Sequence, residues 1–136
     1  MKQNIALVAL VVGDYDEAIG WYRDKLGFRL VEDTPQTPGK RWVVVAPPGG
    51  AGTALLLAKA ANERQQAVVG TQTGGRVFLF LHTDDFQRDF RTYSRRGVTF
   101  VRGPSDEPYG HVAVFTDLYG NLWDLIEPKK AQLPTR

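Results

Sequence analysis

An internal repeat constrains this chain more than any other feature. When residues 11–28 are laid over residues 81–98, Asp14 meets Asp84 and Gly27 meets Gly97, each pair 70 positions apart. Each copy reads as an apolar strand (5–12 and 77–82), an Asp that opens a helix, a Gly that follows it, and a further strand (28–31 and 98–101). Asp14 with Glu17 three residues later has capping-box spacing. Ile19, Tyr22 and Leu26 form the apolar stripe of the first helix, as Phe86, Phe90 and Tyr93 form that of the second, and these aromatics read as core.

The register continues into a third strand. Arg41-Trp42-Val43-Val44-Val45 lies over His111-Val112-Ala113-Val114-Phe115, again 70 apart, and a turn follows each. The closing strands, 53–58 and 121–127, align through Gly52 and Gly120 at a spacing of 68. Between the copies, residues 61–75 lack apolar periodicity and read as a linker. The expected architecture is α+β: two tandem βαβββ modules, about 4–60 and 76–128, with a tail at 129–136. A supersecondary unit of this length needs a neighbour to cover its exposed face, so 1–136 is expected to be one domain.

Composition narrows the chemistry. The 136 residues are 43% hydrophobic and 24% charged, which is globular, and 17 basic against 15 acidic residues are spread without a basic block. Nucleic acid is therefore not an expected partner. The absence of Cys excludes disulfides, thiolate catalysis and Cys-based zinc sites, and leaves His82 and His111 as the imidazoles. The apolar run 4–12 follows Lys2 but leads into Gly13-Asp14 without a small-residue cleavage site, so it reads as a buried strand rather than a signal peptide. No apolar run approaches the roughly 20 residues of a membrane span, and a cytoplasmic location is expected.

The run Val11-Val12-Gly13-Asp14-Tyr15-Asp16-Glu17-Ala18-Ile19-Gly20-Trp21-Tyr22-Arg23-Asp24-Lys25-Leu26-Gly27-Phe28 resembles the opening of vicinal oxygen chelate proteins, the glyoxalase/bleomycin resistance/dioxygenase superfamily. Asp117-Leu118-Tyr119-Gly120-Asn121-Leu122-Trp123-Asp124-Leu125-Ile126-Glu127-Pro128 resembles their closing strand. The resemblance covers roughly residues 4–128 and implies a curved mixed sheet around a cleft, with helices on the outer face. It leaves the reaction open. The superfamily holds lactoylglutathione lyases, extradiol dioxygenases, epimerases, fosfomycin-inactivating transferases and bleomycin-binding proteins that perform no chemistry.

Metal-dependent members place His, Glu or Gln ligands on the first and last strand of each module. By that resemblance the matching positions are Leu7, Leu56, Val77 and Asp124, and only Asp124 can ligate an ion. A slip of one residue offers Ala6 or Val8, Leu55 or Leu57, Arg76 or Phe78, and Trp123 or Leu125, none of them a ligand. One carboxylate among aliphatic side chains cannot supply the roughly six contacts that a hard divalent ion prefers. Neither a metal nor a cofactor is expected.

Strand alternation puts Leu7, Ala9, Val11, Ala54, Leu56, Ala58, Val77, Leu79, Leu81, Leu122, Asp124 and Ile126 on the face where the family's cavity lies. The expected site is thus apolar with one acid, either an open small-molecule cleft or a filled core. Asp124 is read as a ligand-orienting or proton-accepting contact in apolar surroundings, the alternative being a solvated acid at the rim. Arg41 and His111 occupy equivalent strand starts and Tyr109 lies near His111, so all three are candidates for binding, although strand-start residues are also commonly just exposed. Trp42 could stack on a flat ligand or belong to the core. Trp123 is expected to turn toward the helices and His82 to be a surface or capping residue. Gly49-Gly50-Ala51-Gly52 lacks the Lys-Ser/Thr of a phosphate loop and reads as a turn.

The leading expectation is a metal-free protein that sequesters or senses an apolar or aromatic compound, with Asp124, His111, Arg41, Tyr109, Leu56, Leu7 and Trp42 as ligand-binding residues. The alternatives are a metal-dependent lyase, isomerase or dioxygenase, whose ion would need Asp124 and His111, and an interaction subunit whose cleft is filled. Open four-stranded sheets need their edges covered, so a homodimer is expected.

Overall fold

Asp14 and Gly27 bound the first helix as their types dictate. In the computed structural model, which describes residues 1–129, α1 (Tyr15–Leu26) starts at Asp14, whose carboxylate accepts a hydrogen bond from the Glu17 N–H. It ends at Gly27, whose left-handed φ of 73° a side chain would resist. Tyr22 and Leu26 are buried on one side of the helix, as their spacing requires.

The chain divides into two compact units, Met1–Gln72 and Thr73–Arg136. In the first, β1 (Leu7–Val12), α1, β2 (Arg29–Thr37), β3 (Lys40–Ala46) and β4 (Ala54–Lys59) give a four-stranded sheet of order β1-β4-β3-β2. β1 runs parallel to β4, and the other pairs are antiparallel. A short helix, α2 (Glu63–Gln66), follows. In the second, β5 (Val77–His82), α3 (Phe86–Arg95), β6 (Thr99–Glu107), β7 (Gly110–Thr116) and β8 (Leu122–Pro128) repeat the pattern in the order β5-β8-β7-β6. The architecture is α+β, two βαβββ modules, and neither sheet closes into a barrel. The unit boundary falls inside the segment expected to link them, and beyond Lys129 the expected tail lies outside the described residues.

In three respects the structure departs from the pattern expected of the sequence. The second helix is capped by Asp85, not Asp84: the Asp85 carboxylate accepts from the Arg88 N–H. The reason lies upstream, where β5 carries an irregularity between Val77 and Leu79. One extra residue there moves the rest of β5 and the cap along by one, and α3, of 10 residues against the 12 of α1, restores the spacing at Gly97.

The slip also changes which β5 side chains share a face. Val77 pairs with Leu122 as the repeat requires, but Phe80 and His82, not Leu79 and Leu81, pair with Asp124 and Ile126. Leu79 and Leu81 pair with Trp123 and Leu125 and lie on the opposite side.

The third departure is the supposed linker, which is folded onto the first unit. Asn62 caps α2 by accepting from the Gln65 N–H. The Gln72 amide accepts from the Val11 N–H (2.8 Å) and donates to the Ala9 carbonyl (2.7 Å), satisfying the outer edge of β1 as a neighbouring strand would. No residue of α2 is buried, so no apolar periodicity could have announced it.

Each unit has its core between helix and sheet. Leu10, Leu57 and Val43 stand in one row across the first sheet and are fully buried. In the second, Trp123 stacks on Phe115 at 5.8 Å and 16°, and the Phe115 ring meets the edge of Tyr93 from α3.

Candidate functional site

Successive residues of β3 point to opposite faces of the sheet, so Arg41, Val43 and Val45 share one face while Trp42 and Val44 share the other. The Arg41 face is the helix side. The Arg41 N–H donates to the Tyr15 hydroxyl (3.1 Å), and its guanidinium carbon lies 5.1 Å from the centre of the Tyr15 ring. The guanidinium donates to both carboxylate oxygens of Asp33 (3.0 and 2.7 Å) and to Asp16 (2.9 Å). The hydrogen bond from Arg41 holds the Asp33 carboxyl below the usual carboxylate range, and the same bond, aided by Asp16, strengthens the hold of Arg41 on its proton.

The other face carries Leu56, which pairs with both Ala9 and Val44 and is half-buried. Where the two faces meet, at the start of β3 and the end of β4, the chain leaves a cavity of about 490 Å³. Its walls include Tyr15, Arg41, Trp42 and Leu56, and the segment after β4 contributes Ala60, Ala61 and Gln65. A second concavity of about 550 Å³ shares Tyr15, Arg41 and Lys59 and adds Asp14. The structure thus brings three of the sequence candidates, Arg41, Trp42 and Leu56, around one space. Leu7 lies on the Leu56 face, paired with Ala54, and does not line that space.

Sequence reasoning missed Tyr15, Lys40, Lys59 and Gln65. Tyr15 was visible only as the first residue of a helix. Gln65 sits in the segment read as a linker, and its place at the cavity depends on that segment folding back. The lysines belong to strand ends, which alternation describes poorly.

In the second unit, Asp124 is buried in β8 on the face it shares with Ile126, and Phe80, half-exposed, stands beside it in β5. Burying a carboxylate disfavours its charged form unless partners offset the lost hydration. His111, the counterpart of Arg41, begins β7 with its ring 6.3 Å from that of Phe86, and its Nδ1 is 3.6 Å from Asp106. Tyr109 precedes it in the β6–β7 turn, and its carbonyl accepts from the Lys129 N–H. His111 therefore lies toward α3, whereas Asp124 belongs to the opposite face, because Trp123 and Leu125 take the α3 side.

The donor set does not fit the family's metal. The motif positions present Leu7, Leu56, Val77 and Asp124, and the β5 irregularity substitutes only another hydrocarbon, Phe78. Among the described residues no three His, Cys, Asp or Glu side chains are grouped to hold an ion. Nor, among them, is any helix long and apolar enough to cross a membrane.

Residues 4–125 match the family model of the glyoxalase/bleomycin resistance protein/dioxygenase superfamily. An uncharacterized protein of Shewanella frigidimarina (strain NCIMB 400) is 59% identical over 128 residues, 93% of this chain and 95% of the relative. Among solved structures, UcmS2 superposes with a TM-score of 0.82 at 27% identity, covering 93% of this chain and 99% of its own. TnmS3, an antibiotic binding protein from Streptomyces sp. CB03234, does so with a TM-score of 0.76 at 32% identity, covering 94% and 98%. With its two βαβββ modules and a family match along nearly its whole length, the chain belongs to the glyoxalase/bleomycin resistance protein/dioxygenase superfamily.

Proposed function

We propose that the protein is a metal-free small-molecule-binding protein that sequesters or senses an apolar or aromatic compound in the cavity of its first unit. The observation that carries this reading is the cavity itself. Its volume is in the range of sites for drug-sized ligands, and its walls combine aromatic and aliphatic surface with a few polar groups. Trp42 offers a ring face, Leu56 an aliphatic floor, and Tyr15, held under Arg41, a fixed second ring. Because Asp16 and Asp33 tie Arg41 in place, the wall is preformed, which lowers the ordering cost of binding. The likeness to an antibiotic binding protein supports the same class of function.

Catalysis of the metal-dependent type has little to support it in the residues present. Lyase chemistry in this fold uses an ion to stabilise a developing oxyanion, and one carboxylate among hydrocarbon side chains supplies no such stabilisation. The proposal also takes the protein to be cytoplasmic and homodimeric.

A thermal-shift screen of planar apolar compounds tests the reading. A hit at about 100 times its Kd should stabilise the fold by roughly 2.7 kcal/mol, a rise of several degrees in Tm. Leu56→Trp, which narrows the cavity at its aliphatic floor, should weaken every such shift. A library without hits, or hits that Leu56→Trp binds as well, would refute it.

A further inference from the structure

The charged side chains that line the cavity are all basic. Its walls carry three cations, Lys40, Arg41 and Lys59, and no carboxylate. The neighbouring concavity adds one acid, Asp14, whose carboxylate accepts the Glu17 N–H at the cap of α1. Arg41 is outweighed by its partners Asp16 and Asp33, at 2.9 and 2.7 Å, so the cations left open to a ligand are Lys40 and Lys59. Lys40 and Lys59 are exposed and, among the described residues, enter no ion pair.

Their position follows from topology. β3 and β4 run antiparallel with Val43 opposite Leu57, so the start of β3, at Lys40, and the end of β4, at Lys59, lie at the same end of the sheet. Both lysines line the cavity, Lys40 on the Trp42 side and Lys59 beside Arg41, so an anion there gains charge-assisted hydrogen bonds from ammonium groups that no wall carboxylate answers. Beside them, Trp42, Tyr15 and Leu56 offer surface that suits a ring and not a small inorganic ion.

We infer that the cavity selects planar aromatic anions: the ring system lies on Trp42 and Leu56, and a carboxylate or phenolate is held by Lys40 and Lys59. This deepens the proposed function and rests on it, since a protein that binds no aromatic compound cannot select among them.

Calorimetric titration with three probes of one ring system separates the two claims: naphthalene-2-carboxylate, naphthalene-2-carboxamide and naphthalen-2-ylmethylammonium. The carboxylate should bind about tenfold tighter than the amide at low salt, and the ammonium weakest. The preference should shrink as ionic strength rises, because the lysines are exposed. The double variant Lys40→Gln, Lys59→Gln should bring the carboxylate to the affinity of the amide, with an unchanged Tm showing that the fold is intact. An amide or ammonium that binds as well as the carboxylate overturns the charge preference alone. A preference that survives the double variant also overturns it. If none of the probes binds at millimolar concentration, both the preference and the proposed function fail.

Discussion

Arg41 was a candidate because it begins a strand in the same register as His111, and the structure gives it a definite task. It ties β2 to the start of α1 through Asp33 and Asp16 and caps the Tyr15 ring. The sign of its linkage to pH follows from Asp33. The folded carboxyl has a pKa below its ordinary 3.8, so its stabilising effect is complete above that value and is lost as pH falls through the lower folded value. Asp33→Asn should therefore cost on the order of 0.5–1 kcal/mol near neutrality, a modest figure because both side chains are partly exposed. The difference from the parent should close as pH falls below about 4. Urea unfolding at several pH values reads this directly, and a gap that stays constant down to pH 2 would show that Asp33 does not act through its charge. At this scale the sequence named three residues of the cavity wall, Arg41, Trp42 and Leu56, and four that lie elsewhere, Asp124, His111, Tyr109 and Leu7. Leu56 was legible because strand alternation places it, and Trp42 was left between a ligand and the core, whereas Tyr15 and Lys59 were missed because strand and helix periodicity does not report what meets at an element's end.

Elements were legible in kind and order, and the misreadings have one cause. The repeat aligns at Val77 and again at Gly97, so an extra residue in β5 and a shorter α3 cancel between two matching landmarks. Asp84 was aligned with Asp14, yet the cap is Asp85. Asp85→Ala should lower stability by about 1 kcal/mol, the usual worth of an N-cap. Asp84→Ala removes only an exposed pair with Arg88 and should cost at most a few tenths. Urea midpoints that rank the two variants the other way would restore the simple alignment. The folded linker is testable too. Gln72→Ala strips the side-chain partner from the Val11 N–H and should speed hydrogen exchange at that amide, with a global cost near 1 kcal/mol. Unchanged exchange there would show that Gln72 does not protect the edge of β1.

For the molecule as a whole, the repeat and the two end motifs were sufficient to give the module and its family, because both are properties of the entire chain. They left open what fills or occupies a cleft, which depends on side-chain volumes at the ends of strands. The account expects a homodimer, because the sheets keep exposed outer strands in β2 and β6. Light scattering at roughly tens of micromolar checks this, an interface of standard size persisting there, and a monodisperse monomer would contradict it. It also expects no stoichiometric nickel, zinc, cobalt, manganese or iron, and one tight site found by calorimetry would revive the metal-dependent reading. The central claim is that a ligand enters the first unit's cavity. Amide chemical shifts, followed by NMR while a thermal-shift hit is added, test it most directly. The account predicts saturable changes centred on Tyr15, Lys40 to Trp42, and Leu56 to Ala61, and weakened in Leu56→Trp. Changes centred instead on Phe80 and Asp124, or scattered without saturation, would contradict it.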